Sequence, residues 1–93
     1  MGSPWKALAD DSRRQILLLL KDEEMTPSQI RTRFLFTLPA VSAHLRVLKD
    51  AGLVVERRQG KHRFYSVNFE ALSDLVGFFD GFWEKAKPKK RGR

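Results

Sequence analysis

Apolar side chains recur at helical spacing along most of this chain, interrupted by one stretch that alternates. Ile16, Leu17 and Leu20 form the first clear stripe, and Ile30 with Phe34 a shorter one. Val41, Leu45 and Leu48 fall at i, i+4 and i+7, while Phe69, Leu72, Val76, Phe79 and Trp83 are spaced by threes and fours. Both patterns put one apolar face on a helix. Between these two stripes, residues 53–58 and 62–67 are rich in β-branched, aromatic and charged side chains around Gln59-Gly60-Lys61. They predict a hairpin with a loop of about three residues, Tyr65 and Val67 sharing its inner face.

Capping residues sharpen the boundaries. Ser3-Pro4 opens a short helix through Trp5, Leu8 and Ala9, and Asp10 or Asp11 caps the next. Lys21-Asp22-Glu23-Glu24 reads as a charged turn. Thr26-Pro27-Ser28-Gln29 matches a capping box for a third helix running through Ile30 and Phe34. Thr37 caps a fourth, with Pro39 in its first turn and Gly52 as its stop. The last helix covers residues 69–85. The fold class is mostly α with a small β-hairpin (α+β), in one domain over residues 1–84. The basic stretch 85–93 is expected to be a disordered tail.

On the last helix, Leu75, Phe78 and Phe82 widen the stripe of Leu72, Val76, Phe79 and Trp83. A terminal helix this apolar has one edge for its own domain and a second left over. A twin helix from another subunit would cover that edge, with Trp5 and Leu8 of the first helix beside it.

Charge is distributed in blocks. Residues 1–30 carry a net −1, 31–63 a net +6, 64–84 a net −4 and 85–93 a net +6, within an overall +7. A positive block set against a negative one orients a protein on a polyanion. Arg57, Arg58, Lys61, His62 and Arg63 crowd the hairpin, with only Glu56 at its base. A helix sized for the major groove beside a basic β-ribbon is the DNA-reading half of a winged helix-turn-helix.

The outer side of the fourth helix then carries Thr37, Leu38, Pro39, Ser42, Ala43, His44 and Arg46 as DNA-binding candidates. Leu38 and Ala43 suit thymine methyls. Ser42 either reaches the DNA or bonds back to its own helix. Arg46 and Lys49 either touch phosphates or stay solvated, and a third reading of Lys49 is that it complements its helix C-terminus. His44 is expected to be exposed, facing DNA or solvent.

Other chemistry has little to stand on. There is no cysteine, so disulfides and thiolate metal sites are excluded, and no metal or other cofactor is expected. No Gly-rich phosphate loop and no supported nucleophile–base set is present, so the chain is not expected to be an enzyme. The apolar runs are far shorter than the roughly 20 residues that span a bilayer, and no signal peptide is visible at Met1-Gly2-Ser3. A cytoplasmic, nucleoid-associated protein without a membrane partner is the expectation.

Several strings, in this order, resemble the ArsR family of bacterial winged-helix repressors: Lys6-Ala7-Leu8-Ala9-Asp10 with Arg13-Arg14-Gln15-Ile16-Leu17, Val41-Ser42-Ala43-His44-Leu45 with Val47-Leu48-Lys49, Ala51-Gly52-Leu53-Val54, and Arg57-Arg58-Gln59-Gly60-Lys61 with Tyr65-Ser66-Val67. The likeness covers roughly residues 5–83. It implies a homodimer, paired through its first and last helices, that represses transcription from an inverted-repeat operator in double-stranded DNA. Metal-sensing members typically carry cysteines on an early helix, or His and acidic residues on the last. Here the third helix has no thiolate and the last has Asp74, Asp80 and Glu84 but no histidine, which resembles the metal-independent members. Two other readings remain: a nonspecific nucleic-acid binder driven by the tail, and a winged-helix protein-interaction module.

Overall fold

The computed structural model describes residues 2–86, except the side chains of Trp83, Lys85 and Ala86. Its elements are α1 (Pro4–Leu8), α2 (Asp11–Leu20), α3 (Pro27–Arg31), α4 (Leu38–Asp50), β1 (Val54–Gln59), β2 (His62–Val67) and α5 (Phe69–Ala86). The tail residues 87–93 lie outside the described residues. The last helix ends one residue past the end expected at 85 and so carries the backbone of residues 85 and 86, expected to belong to a disordered tail, in helix. Among the described residues no helix is long and apolar enough to cross a membrane.

Local chemistry starts the helices as expected. Ser3 accepts from the Lys6 N–H, Asp10 from that of Arg13 and Thr37 from that of Ala40. Thr26 and Gln29 close a reciprocal capping box at 3.2 and 2.9 Å. α4 ends in a Schellman arrangement, with Leu53 N–H donating to the Leu48 carbonyl and Gly52 N–H to that of Lys49, both at 2.9 Å. Gly52 holds a φ of 79°, with nothing within 4 Å of where a Cβ would stand. Gly52→Ala therefore meets strain without a clash. It is expected to destabilise the domain by about 1–2 kcal/mol, read as a lower urea midpoint at unchanged slope.

Three other boundaries differ from expectation. α3 stops at Arg31, so Phe34 is not helical. The Thr32 hydroxyl takes the Gln29 carbonyl, Arg33 and Phe34 N–H donate to Ile30 and Arg31, and the Phe34 ring stacks on Phe36 at 4.8 Å. The hairpin loop is two residues long, since Gln59 pairs with His62. Gly60 takes a φ of 60° at the first loop position while Lys61 keeps a negative one, the signs of a type II′ turn that suits strand twist. Leu53 precedes the strand and is buried in the core.

The core lies where α2, α3 and α4 meet the base of the hairpin. Ile16, Leu20, Ile30, Val41, Leu45, Leu48 and Leu53 are almost fully enclosed, and Met25, Tyr65 and Val67 extend the same cluster. Among the described residues, α5 joins it through Ala71, Leu72 and Leu75. Phe69, Val76 and Phe79 of the expected stripe face outward together with Phe78 and Phe82. Asn68 caps the start of α5 by accepting from the Ala71 N–H, and donates to the Gly52 carbonyl at 2.9 Å.

Candidate nucleic-acid interface

One side of α4 and one face of the hairpin enclose an open groove. Its walls are Pro39, Ser42, Ala43, Arg46, Lys49 and Asp50 from α4 and Glu56, Arg63 and Tyr65 from the hairpin, with Pro27 at one end. A second hollow adjoins it, sharing Pro27, Ser42 and Arg63 and adding Leu38, Ser28, Lys61 and His62. The chain thus gathers Leu38, Pro39, Ser42, Ala43, Arg46, Lys61, His62 and Arg63 around one continuous depression. Thr37 is exposed at the start of α4, its hydroxyl engaged in the cap.

Pleating sorts the hairpin's charges onto two faces. Glu56 opposes Tyr65 and Arg58 opposes Arg63 on the face toward α4, the front. Two arginines directly opposite one another repel unless an anion is close. Arg57 opposes Phe64 on the rear. There its guanidinium lies 4.7 Å from the Phe64 ring centre and grips both Glu24 oxygens, at 3.1 and 2.6 Å. The same loop adds a backbone bridge, Met25 N–H to Tyr65 O at 3.0 Å and Tyr65 N–H to Met25 O at 2.8 Å. Arg57 is therefore separated from Arg58 and Arg63 and serves to hold the hairpin against the α2–α3 connection.

His44 departs from expectation. It is half-buried rather than exposed, with Nδ1 3.4 Å from an Arg13 nitrogen and its ring 5.9 Å from that of Phe36. Its position, three after Val41 and four before Leu48, belongs to the core-facing stripe, and that spacing was the available signal. His62 rims the hollow while its ring leans toward Phe64, 6.2 Å away, on the rear.

Residues that sequence reasoning passed over include Pro27 and Ser28, which bring the start of α3 into the hollow, and Glu24. Glu24 meets Arg57 from 33 positions away, and no local pattern announces such a pair. Among the described residues Arg46, Arg58 and Lys61 form no ion pair, whereas Lys49 and Arg63 reach Glu56 at 2.6 and 3.4 Å.

Several carboxyls are held below their ordinary range. The Arg13 backbone N–H does this for Asp10, the Arg57 guanidinium for Glu24 and the Lys49 ammonium for Glu56. A depressed folded-state value means stability that is complete above the ordinary 3.8 for Asp and 4.5 for Glu and is lost as pH falls through the lowered values. Urea midpoints are accordingly expected to decline below about pH 4.5, and Glu24→Gln should flatten part of that decline. A profile identical to wild type would remove Glu24 from this account.

A row of aromatic side chains joins α1 to the later turns of α5. Trp5 meets the Phe78 and Phe79 rings edge-on, both at 5.5 Å, and Phe78 stacks toward Phe82 at 6.2 Å. Phe78, Phe79 and Phe82 remain more than half exposed. Leu8 is half-buried against the core, and the side chain of Trp83 lies outside the described residues.

Known proteins share this sequence and shape. The model of the family described as "Bacterial regulatory protein, arsR family" matches residues 10–55. The transcriptional repressor SdpR of Bacillus subtilis is 36% identical over 91% of this chain and 94% of its own length. The HTH-type transcriptional regulator Rv2034 of Mycobacterium tuberculosis is 38% identical over 88% of this chain and 77% of its own. Among solved structures, the homodimeric winged helix-turn-helix DNA-binding domain of a possible ArsR-family regulator from Mycobacterium bovis superposes with a TM-score of 0.70 at 32% identity, covering 95% of this chain and 82% of that one. With SdpR matched over nearly the full length of both chains, and with a recognition helix and wing in place, the protein belongs to the arsR family of bacterial regulatory proteins and carries its winged helix-turn-helix fold.

Proposed function

We propose that the chain is a homodimeric, metal-independent repressor that binds an inverted-repeat operator, α4 entering the major groove and the wing lying on flanking backbone. The observation that carries the reading is the front of the wing. Arg63 lines the groove there with the small side chains Ser42 and Ala43 and the unpaired Arg46 of α4, and Arg58 stands directly opposite Arg63 across the strands. Small residues let a helix approach base edges, and clustered cations want phosphate. Pairing through Trp5, Phe78, Phe79 and Phe82 is supported by their exposure and by the homodimeric Mycobacterium bovis neighbour. Repression is the direction named for SdpR.

Metal independence is supported by the absence of cysteine and by the separate placement of the only two histidines, His44 against Arg13 and His62 at the wing tip. A non-enzymatic, cytoplasmic role is supported by the likeness to transcriptional regulators. The test is selection of bound duplexes from a random pool, with the full chain and with residues 85–93 removed. A palindrome whose half-site centres lie about one helical turn, ~34 Å, apart is expected from both. No enrichment, or a sequence ranking lost with the tail, would overturn the proposal in favour of a nonspecific binder.

A further inference from the structure

Glu56 is the one acidic side chain of the wing, and it sits under the surface that faces DNA in the reading above. Its side chain is only 12% exposed, while Lys49 and Arg63, which it holds, stay 51% and 54% exposed. Oε1 accepts from Lys49 Nζ at 2.6 Å; Oε2, itself buried, makes no hydrogen bond and has Arg63 Nε at 3.4 Å. The cations thus present their outer sides to the groove with their charge already answered from beneath.

We propose that Glu56 is a built-in counterion that competes with DNA phosphate for Lys49 and Arg63, and so caps the sequence-independent part of DNA binding. The argument is one of ion release. Each phosphate neutralised by a protein cation frees counterions and steepens the dependence of log affinity on log salt by about 0.9. A lysine held by its own carboxylate at 2.6 Å carries few mobile anions to begin with. To serve a phosphate fully it must leave a low-lying carboxylate bare beneath the incoming negative charge. Whether the cation stays or moves, the electrostatic gain is smaller than for Arg46 or Arg58, which form no ion pair.

Glu56 is ionised throughout the neutral range, since the Lys49 ammonium holds its carboxyl below the usual value. For a chain of net charge +7, such a brake lowers the phosphate-driven affinity for random sites and operator alike and leaves their ratio to the base contacts. It acts on phosphate contacts and leaves the base-facing residues Ser42 and Ala43 untouched.

The inference rests on the DNA-binding reading, and the experiment separates the two. Affinity of the full-length chain for a random-sequence duplex and for its selected duplex is measured across about 50–200 mM salt. Glu56→Gln, which is isosteric, is expected to raise affinity for both duplexes roughly tenfold at the low-salt end and to steepen the slope by about 1–2. Glu56→Asp, which keeps the charge, should return the slope most of the way to wild type. Independently of how these variants fold, Lys49→Gln should flatten the slope by clearly less than Arg46→Gln does. A slope that is unchanged or shallower in Glu56→Gln, or equal losses from Lys49→Gln and Arg46→Gln, overturns the counterion and makes Glu56 a support for phosphate-binding cations. A wild type that binds no duplex defeats the parent reading and this one with it.

Discussion

A chain carrying Phe78→Glu and Phe82→Glu is expected to sediment as a monomer and to bind its operator at least ~100-fold more weakly than wild type. The two rings are more than half exposed and stack on each other at 6.2 Å, so carboxylates there meet water in a monomer and an apolar surface in a dimer. Folding should survive, because α5 holds to its own domain through Ala71, Leu72 and Leu75, which are not altered. The affinity loss is large because two half-sites are engaged in one event only when the subunits are joined. Binding to random duplexes should fall much less. Wild-type mass in the double variant, at a concentration where the parent is paired, would show that the aromatic face does not join the subunits.

The helix starts were legible because each is decided within four residues. Ser3, Asp10, Thr26 and Thr37 each need only a backbone N–H three positions on, and each finds it. The end of α4 was legible for the same reason, Gly52 being the one residue there suited to a φ of 79°. Phe34 misled because its spacing from Ile30 is helical while Thr32 and the stacking on Phe36 favour a tight turn. A five-residue helix has too few internal bonds to resist that competition. The inner edge of α5 was not legible because so many apolar residues surround the helix that periodicity alone does not select which of them face the core. Asn68 and Gly52 settle it by tying the first turn to the end of α4.

The candidate site was legible as a region and not as a charge map. That α4 and the basic hairpin lie together follows from their order and from the core stripe of Val41, Leu45 and Leu48. Which arginine faces which way depends on strand parity. Tyr65 and Val67 mark the inner face of β2 in the sequence, but which arginine of β1 shares it depends on the loop: three residues would set Arg57 opposite Arg63, and the two-residue loop sets Arg58 there. Glu24 and Glu56 are the decisive omissions. Read in sequence, one belongs to a charged turn and the other marks the base of a basic cluster. In three dimensions each carries a wing arginine, and Glu56 carries Lys49 as well.

That division of charge yields a sharper result than removing wing arginines together. Arg46→Ala combined with Arg58→Ala takes away two cations that form no ion pair. Affinity for every duplex is expected to fall roughly 10- to 100-fold at low salt, with the salt slope shallower by about 2. Arg57→Ala removes the same formal charge as either single change, yet its partner is Glu24 on the rear face, at 2.6 Å. It should leave the slope near its wild-type value. What it loses is the fork to Glu24 and the contact with Phe64, so its effect belongs in a lower urea midpoint and a uniformly weaker complex. If Arg57→Ala flattens the slope as much as Arg58→Ala does, the wing turns in solution to present Arg57 to phosphate, and the two-faced arrangement drawn from strand pairing is wrong. If the slope holds while Arg46→Ala and Arg58→Ala each reduce it by about 1, the front of the wing is the surface that reads the DNA backbone, and net charge alone says little about which residues do so.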